Sequence, residues 1–96
     1  MREAVRLRRS NVAYSTLVTI VMMCVKEQEG IVAEETVIEV LLAANNHCTI
    51  TVAVVMKYGA EIIPICKKLQ EQIVNEIGMM TPFTVQQVHI IVKRIA

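Results

Sequence analysis

Histidine and cysteine are the residues of this chain whose chemistry best suits metal binding or nucleophilic attack. His47 directly precedes Cys48, but the second histidine, His89, is far away in the sequence, and no ligand spacing links them. Cys24 and Cys66 complete an odd cysteine count without a CxxC pair. We therefore expect no metal site and no cofactor. The cysteines are expected to be small buried side chains in a reducing, cytosolic setting, and the histidines to lie at a hairpin tip and on a sheet surface.

An enzymatic function has little support in the sequence. The chain contains no aspartate and no GxSxG, HExxH, P-loop or dinucleotide-binding glycine motif. Glu34 and Glu35 are adjacent, but general acid–base catalysis needs a pocket and a shifted pKa, so this pair is typical of a solvated turn. We expect a protein that is not an enzyme and has no small-molecule substrate.

Basic residues near both ends of the chain suggest nucleic-acid binding as an alternative function. The residues that would contact phosphates are Arg6, Arg8, Arg9 and Arg94. The formal net charge is only +1, aromatic residues make up 3% of the chain, and no GxxG loop is present, all of which disfavour this alternative. A charged edge that prevents strand addition is the simpler interpretation of the arginines.

Composition predicts one small domain, residues 1–96, with an aliphatic core. The hydrophobic fraction of 54% is high for 96 residues, so part of the apolar surface is expected at an interface. The apolar run from Val12 to Val25 is shorter than the roughly 20 residues that span a bilayer. It is therefore predicted to be a core helix, with no membrane anchor encoded.

Hydrophobic periodicity predicts an α+β fold in the order β-α-β-β-α-β, a small mixed sheet with two helices packed on one face. The first strand is a short edge strand at Ala4–Leu7, and a helix follows from about Ala13 and ends near Gly30, a candidate left-handed cap. Two extended runs, Thr36–Ala44 and Cys48–Tyr58, form a hairpin, because the asparagines between them tolerate the positive φ of a tight turn.

Helical spacing of apolar residues after Gly59 predicts a second helix that begins with Pro64 in its first turn and ends between residues 78 and 81. From Thr84 a last strand alternates. One face of the sheet is thereby covered by helices and the other left open.

The open face of the sheet is the predicted interaction surface, because it is too apolar for free water and too polar for a core. It takes a protein partner or a second copy of the chain. Val55→Lys is expected to break that association without unfolding the domain. The predicted residues are Thr49, Thr51, Ala53, Val55, Gln87, His89 and Ile91.

The chain resembles the bacterial alkaline shock protein family. The stretches that carry the resemblance are "TITVAVVMKYG", "CKKLQEQIVNEI" and "MMTPFTVQQVHIIVKRI", from about Cys48 to Ile95, with "EQEGI" at the end of the first helix. Lys57, Pro64 and Pro82 depart from the family pattern, and the connection Gly30–Thr36 is much shorter than the family's glycine-rich loop.

The resemblance implies a non-enzymatic interaction or scaffold protein linked to bacterial cell-envelope stress or homeostasis. Members of the family are small cytosolic α+β proteins that are often found near the membrane through partners. The implied location is therefore cytoplasmic, with membrane association only through a partner. No residue of the family is established as catalytic, so none is transferred to this chain.

Overall fold

The computed structural model describes residues 12–96, which form two helices and three strands in the order α-β-β-α-β. The α+β class and the mixed sheet are confirmed, whereas the predicted strand Ala4–Leu7 lies outside the described residues. Short 3-10 turns occur at Ala33–Glu35 and Ala44–Asn46. The regular elements are α1 (Val12–Lys26), β1 (Val37–Ala43), β2 (His47–Met56), α2 (Ile62–Met80) and β3 (Thr84–Ile95).

The sheet has the strand order β1-β2-β3, with β2 antiparallel to β1 and parallel to β3. The predicted hairpin is confirmed, because Asn45 and Asn46 adopt φ values of 61° and 59° in the turn between β1 and β2. A parallel neighbour cannot be reached by a tight turn, so α2 carries the chain from the end of β2 back to the start of β3.

Alternate residues of β2 form the floor of the core. Ile50, Val52, Val54 and Met56 are all 0% exposed, and they belong to one apolar cluster with Leu17, Ile20, Val21 and Cys24 of α1 and Leu69, Ile73 and Ile77 of α2. Both helices therefore cover the same face of the sheet, which we call the core face. α1 contacts β1 and α2, while α2 contacts β3.

Two glycines position the end of β2 and the start of α2. Gly59 has a φ of +88°, the left-handed region that side chains other than hydrogen disfavour. Gly30 has no such φ, so the prediction of a left-handed cap there is wrong. Glycine is needed at this position because Ile65 and Ala60 pack directly against the backbone. A Cβ at Gly30 would lie 2.5 Å from Ile65 Cδ1 and 2.9 Å from Ala60 Cβ.

The close approach at Gly30 predicts opposite effects for two glycine substitutions. Gly30→Ala should lower the free energy of unfolding by about 1–3 kcal/mol, because the new methyl group overlaps Ile65 and Ala60. Gly78→Ala should raise it by roughly 0.5–1 kcal/mol, since Gly78 lies within α2 and a Cβ there meets nothing within 4 Å. Urea unfolding of both variants measures the difference, and equal effects would contradict the proposed role of Gly30.

Candidate interaction surface

Nine side chains in three cross-strand rows form the surface that we call the open face, on the side of the sheet opposite the helices. Each row takes one residue from β1, one from β2 and one from β3, because paired residues of neighbouring strands share a face. The rows are Leu41–Thr49–Gln87, Glu39–Thr51–His89 and Val37–Ala53–Ile91. Six of the seven residues predicted for the interaction surface are among them.

The open face carries large exposed apolar residues at its corners. Val37 is 56% exposed, Leu41 59% and Ile91 50%, and they occupy three of the four corners. Thr49, Thr51 and Ala53 of the central strand are smaller and half-buried. The result is a shallow trough along β2, flanked by larger side chains of β1 and β3, with apolar residues at three corners and Glu39 and His89 on opposite sides of the middle row.

Sequence reasoning missed the contribution of β1 to this surface. Both sets of alternate residues in β1 are largely apolar, so periodicity alone does not say which set faces the core. The signal was Glu39, the one charged residue of the strand, because a carboxylate is costly to bury. Its position assigns Val37 and Leu41 to the open face and leaves Val40 buried on the other.

Val55, which was predicted to lie on the open face, is 0% exposed, so its assignment to an accessible surface is wrong. The register between β2 and β3 shifts between Val54 and Val55, and Arg94 becomes the partner of Val55 in β3. The Val55 carbonyl accepts a hydrogen bond from the Val32 N–H at 2.9 Å, and the 3-10 turn Ala33–Glu35 contacts β2. The chain before β1 thus closes this end of the face.

Arg94 takes part in that closure and is not a free cation. Its Nη2 lies 2.5 Å from Glu35 Oε1, an ion pair in which both side chains remain about half exposed. Glu34 and Glu35 are exposed on the 3-10 turn. Because Glu35 forms this ion pair with Arg94, its role is structural. The other three arginines of the nucleic-acid alternative, Arg6, Arg8 and Arg9, lie outside the described residues.

The histidines and cysteines do not come together. His47 is at the hairpin, where its Nδ1 lies 3.2 Å from the Ala44 carbonyl oxygen, while His89 is exposed on the open face. Cys24 and Cys48 are buried free thiols and Cys66 is half-buried. Among residues 12–96, no three histidine, cysteine or acidic side chains are grouped closely enough to hold a metal ion.

Burial disfavours the thiolate form of all three cysteines. It raises the pKa of the Cys24 thiol from 9.0 to about 11, and repulsion by Glu76 and Glu27 adds to the effect. Burial also raises the pKa of the Cys48 and Cys66 thiols. A nucleophilic cysteine needs the opposite shift, so these thiols are suited to packing.

These features define a class of protein, a small α+β domain whose sheet has one helix-covered face and one open face. In the described part of the chain, no helix is long and apolar enough to cross a bilayer. The sequence profile of the alkaline shock protein 23 family, described as having a cell-envelope-related function, matches residues 34–96. The chain belongs to this family. No curated protein and no solved structure gives a significant match.

The burial of Val55 reverses the expected outcome of its substitution. Val55→Lys should destabilise the domain by about 3 kcal/mol or more, because it places an unpaired ammonium group at a fully buried site. Thr51→Lys, on the same face of the same strand but half-buried, should cost about 1 kcal/mol or less. Thermal or urea unfolding of the two variants measures the difference. A Val55→Lys protein as stable as the wild type would contradict the burial of Val55 at this end of the open face.

Cys24 should make the domain less stable in alkali. Its pKa is higher in the folded protein than in the unfolded chain, so its contribution is complete below pH 9 and is lost as the pH rises from 9 towards 11. The full shift corresponds to about 2–3 kcal/mol. In urea unfolding between pH 7 and pH 10.5, Cys24→Ala should show a flatter decline with pH than the wild type, although it is less stable at pH 7. Parallel declines would exclude this role of the thiol.

Proposed function

We propose that this domain is a non-enzymatic interaction module in a cell-envelope function, and that its open face binds an amphipathic helix of a protein partner. The observation that carries the proposal is the exposed trough along β2, with Val37, Leu41 and Ile91 at its corners. Exposed apolar side chains that share one face with polar residues mark a candidate interaction site.

The dimensions of the trough support a helical ligand. Its walls, on β1 and β3, are separated by two strand spacings, about 10 Å, and an α-helix with its side chains is about 10–12 Å across. The small side chains Thr49, Thr51 and Ala53 leave room for apolar residues of the helix, while Leu41 and Ile91 contact its sides. Glu39 favours a basic residue of the partner beside the middle row.

The domain acts in the cytoplasm in this proposal and reaches the membrane through its partner. The family description supports a role at the envelope, and the trough supplies the means of attachment. Nucleic-acid binding is the weaker alternative, since the guanidinium group of Arg94 is already engaged by Glu35. A scaffold of this kind needs no catalytic group, only a surface that is complementary to its partner.

Leu41→Lys should reduce partner recovery by about tenfold or more, because it replaces an apolar corner of the trough with a solvated charge. The measurement is affinity capture from host cells, separated into soluble and membrane fractions, with and without nuclease. Met79→Lys is the matched control, since Met79 is 75% exposed but lies at the end of α2, the helix that covers the opposite face of the sheet.

Envelope proteins that the wild type and Met79→Lys recover, and that Leu41→Lys loses, would support the open face as the binding site. Equal recovery by Leu41→Lys would contradict it. Recovery dominated by nucleic acid, with the proteins lost on digestion, would favour the arginine alternative instead.

A further inference from the structure

The outer edge of β3 is the longest unpaired backbone edge in the described structure. β3 has twelve residues and, among residues 12–96, pairs with β2 alone. Natural proteins protect such edges with charges, prolines or short strands, since free N–H and C=O groups attract other strands. The stretch Val85–Val92 contains no proline, glycine, lysine, arginine or acidic residue. The register against β2 shifts near Gln86 and again at Lys93, just beyond this stretch, which leaves residues 87–92 as the regular part of the edge.

We propose that this edge pairs with the β3 edge of a second copy of the chain, in antiparallel orientation around a two-fold axis at Ile90. The product is a six-stranded sheet in the order β1-β2-β3-β3-β2-β1. The register of β3 is regular from Gln87 to Val92, so antiparallel pairing around Ile90 forms about four to six backbone hydrogen bonds over residues 88–92. The axis is perpendicular to the sheet, so the helices of both copies lie on one side and both open faces on the other.

The sequence of β3 is complementary to its own reverse around Ile90. On the core face, Val88 of one copy lies opposite Val92 of the other, and Ile90 lies beside its own counterpart. These three side chains are only half-buried in the single chain, although they pack against the core, so pairing completes their burial. On the open face, His89 lies opposite Ile91.

Charge favours the antiparallel orientation over the parallel one. The cations of β3 are Lys93 and Arg94, both at its end, and the strand has no acidic residue. Parallel pairing would place these cations beside their own copies, whereas antiparallel pairing places them beside the neutral Gln86 and Gln87. An isologous contact of this kind also closes at two copies.

Helix α2 reaches the backbone of β3 through one side chain, Gln70. Gln70 Nε2 donates a hydrogen bond to the Val88 carbonyl oxygen at 2.9 Å, which uses one of its two lone pairs. Beside Gln70, an open groove of about 310 Å³ is lined by Glu71, Val74 and Asn75, and Val74 is 42% exposed. The α2 helices of the two copies flank the axis at this groove.

Dimerisation would enlarge the surface that is available to a partner. This step rests on the proposed function. The open face of one chain measures about 14 by 20 Å, or about 300 Å², from the strand and residue spacings. A stable protein interface takes about 800 Å² from each partner. Two open faces side by side approximately double the surface that one chain presents.

The first test is the mass of the full chain by light scattering over a range of concentrations, together with amide hydrogen exchange. We expect a dimer whose β3 amides become protected as concentration rises. His89→Lys/Ile91→Lys should raise the dimer dissociation constant by about 100-fold, because lysines then face lysines across the axis. His89→Glu/Ile91→Glu should do the same, and an equimolar mixture of the two variants should dimerise again, which a folding defect would not allow.

Val37→Lys/Leu41→Lys is the matched control, because it changes the open face at β1 and leaves the β3 edge unaltered. It should remain dimeric while losing the partner, so failure of the dimer and failure of the proposed function give different results. A wild-type monomer at all concentrations overturns the inference, and so does β3 protection in a monomer, which would indicate the predicted strand Ala4–Leu7 on that edge. Assemblies that grow beyond two copies would indicate β1-to-β3 pairing and also overturn it.

Discussion

The structure depends on the complete burial of one side of β2. This strand is central in a three-stranded sheet, and its core-face residues from Cys48 to Met56 have no exposed area. Two helices are needed to cover that side, and α2 is also the connection that a parallel β2–β3 pair requires. The part of the chain that the structure describes has no third layer, so the second side of the same strand stays open there.

The predictable parts of the fold are those fixed by local sequence. Asn45 and Asn46 set the hairpin, and the strict alternation of β2 identifies its buried face, because both signals lie within a few residues. Val55 and Gly30 could not be placed in this way. Val55 is buried by a register shift and by a segment that precedes β1, and Gly30 is required by contact with Ile65 across the fold. Such tertiary effects leave no periodic trace in the sequence.

The candidate site was only partly predictable for a related reason. The β2 and β3 residues of the open face follow from alternation, but β1 offers two apolar faces that Glu39 alone distinguishes. The general surplus of apolar residues was nevertheless informative. Core burial accounts for part of the 54% hydrophobic content, and large side chains such as Val37, Leu41 and Ile91 remain on the surface. The proposed function assigns these exposed residues to contact with a partner.

The two proposed surfaces share β3, and this couples them. Ile91 contributes its side chain to the open face, while the backbone of the same strand forms the edge. A partner that extends across both open faces binds the dimer more tightly than the single chain. By thermodynamic linkage, dimerisation then raises partner affinity by the same factor by which the partner strengthens the dimer. Attachment at the envelope would therefore depend on the local concentration of the domain, without any conformational change within the fold.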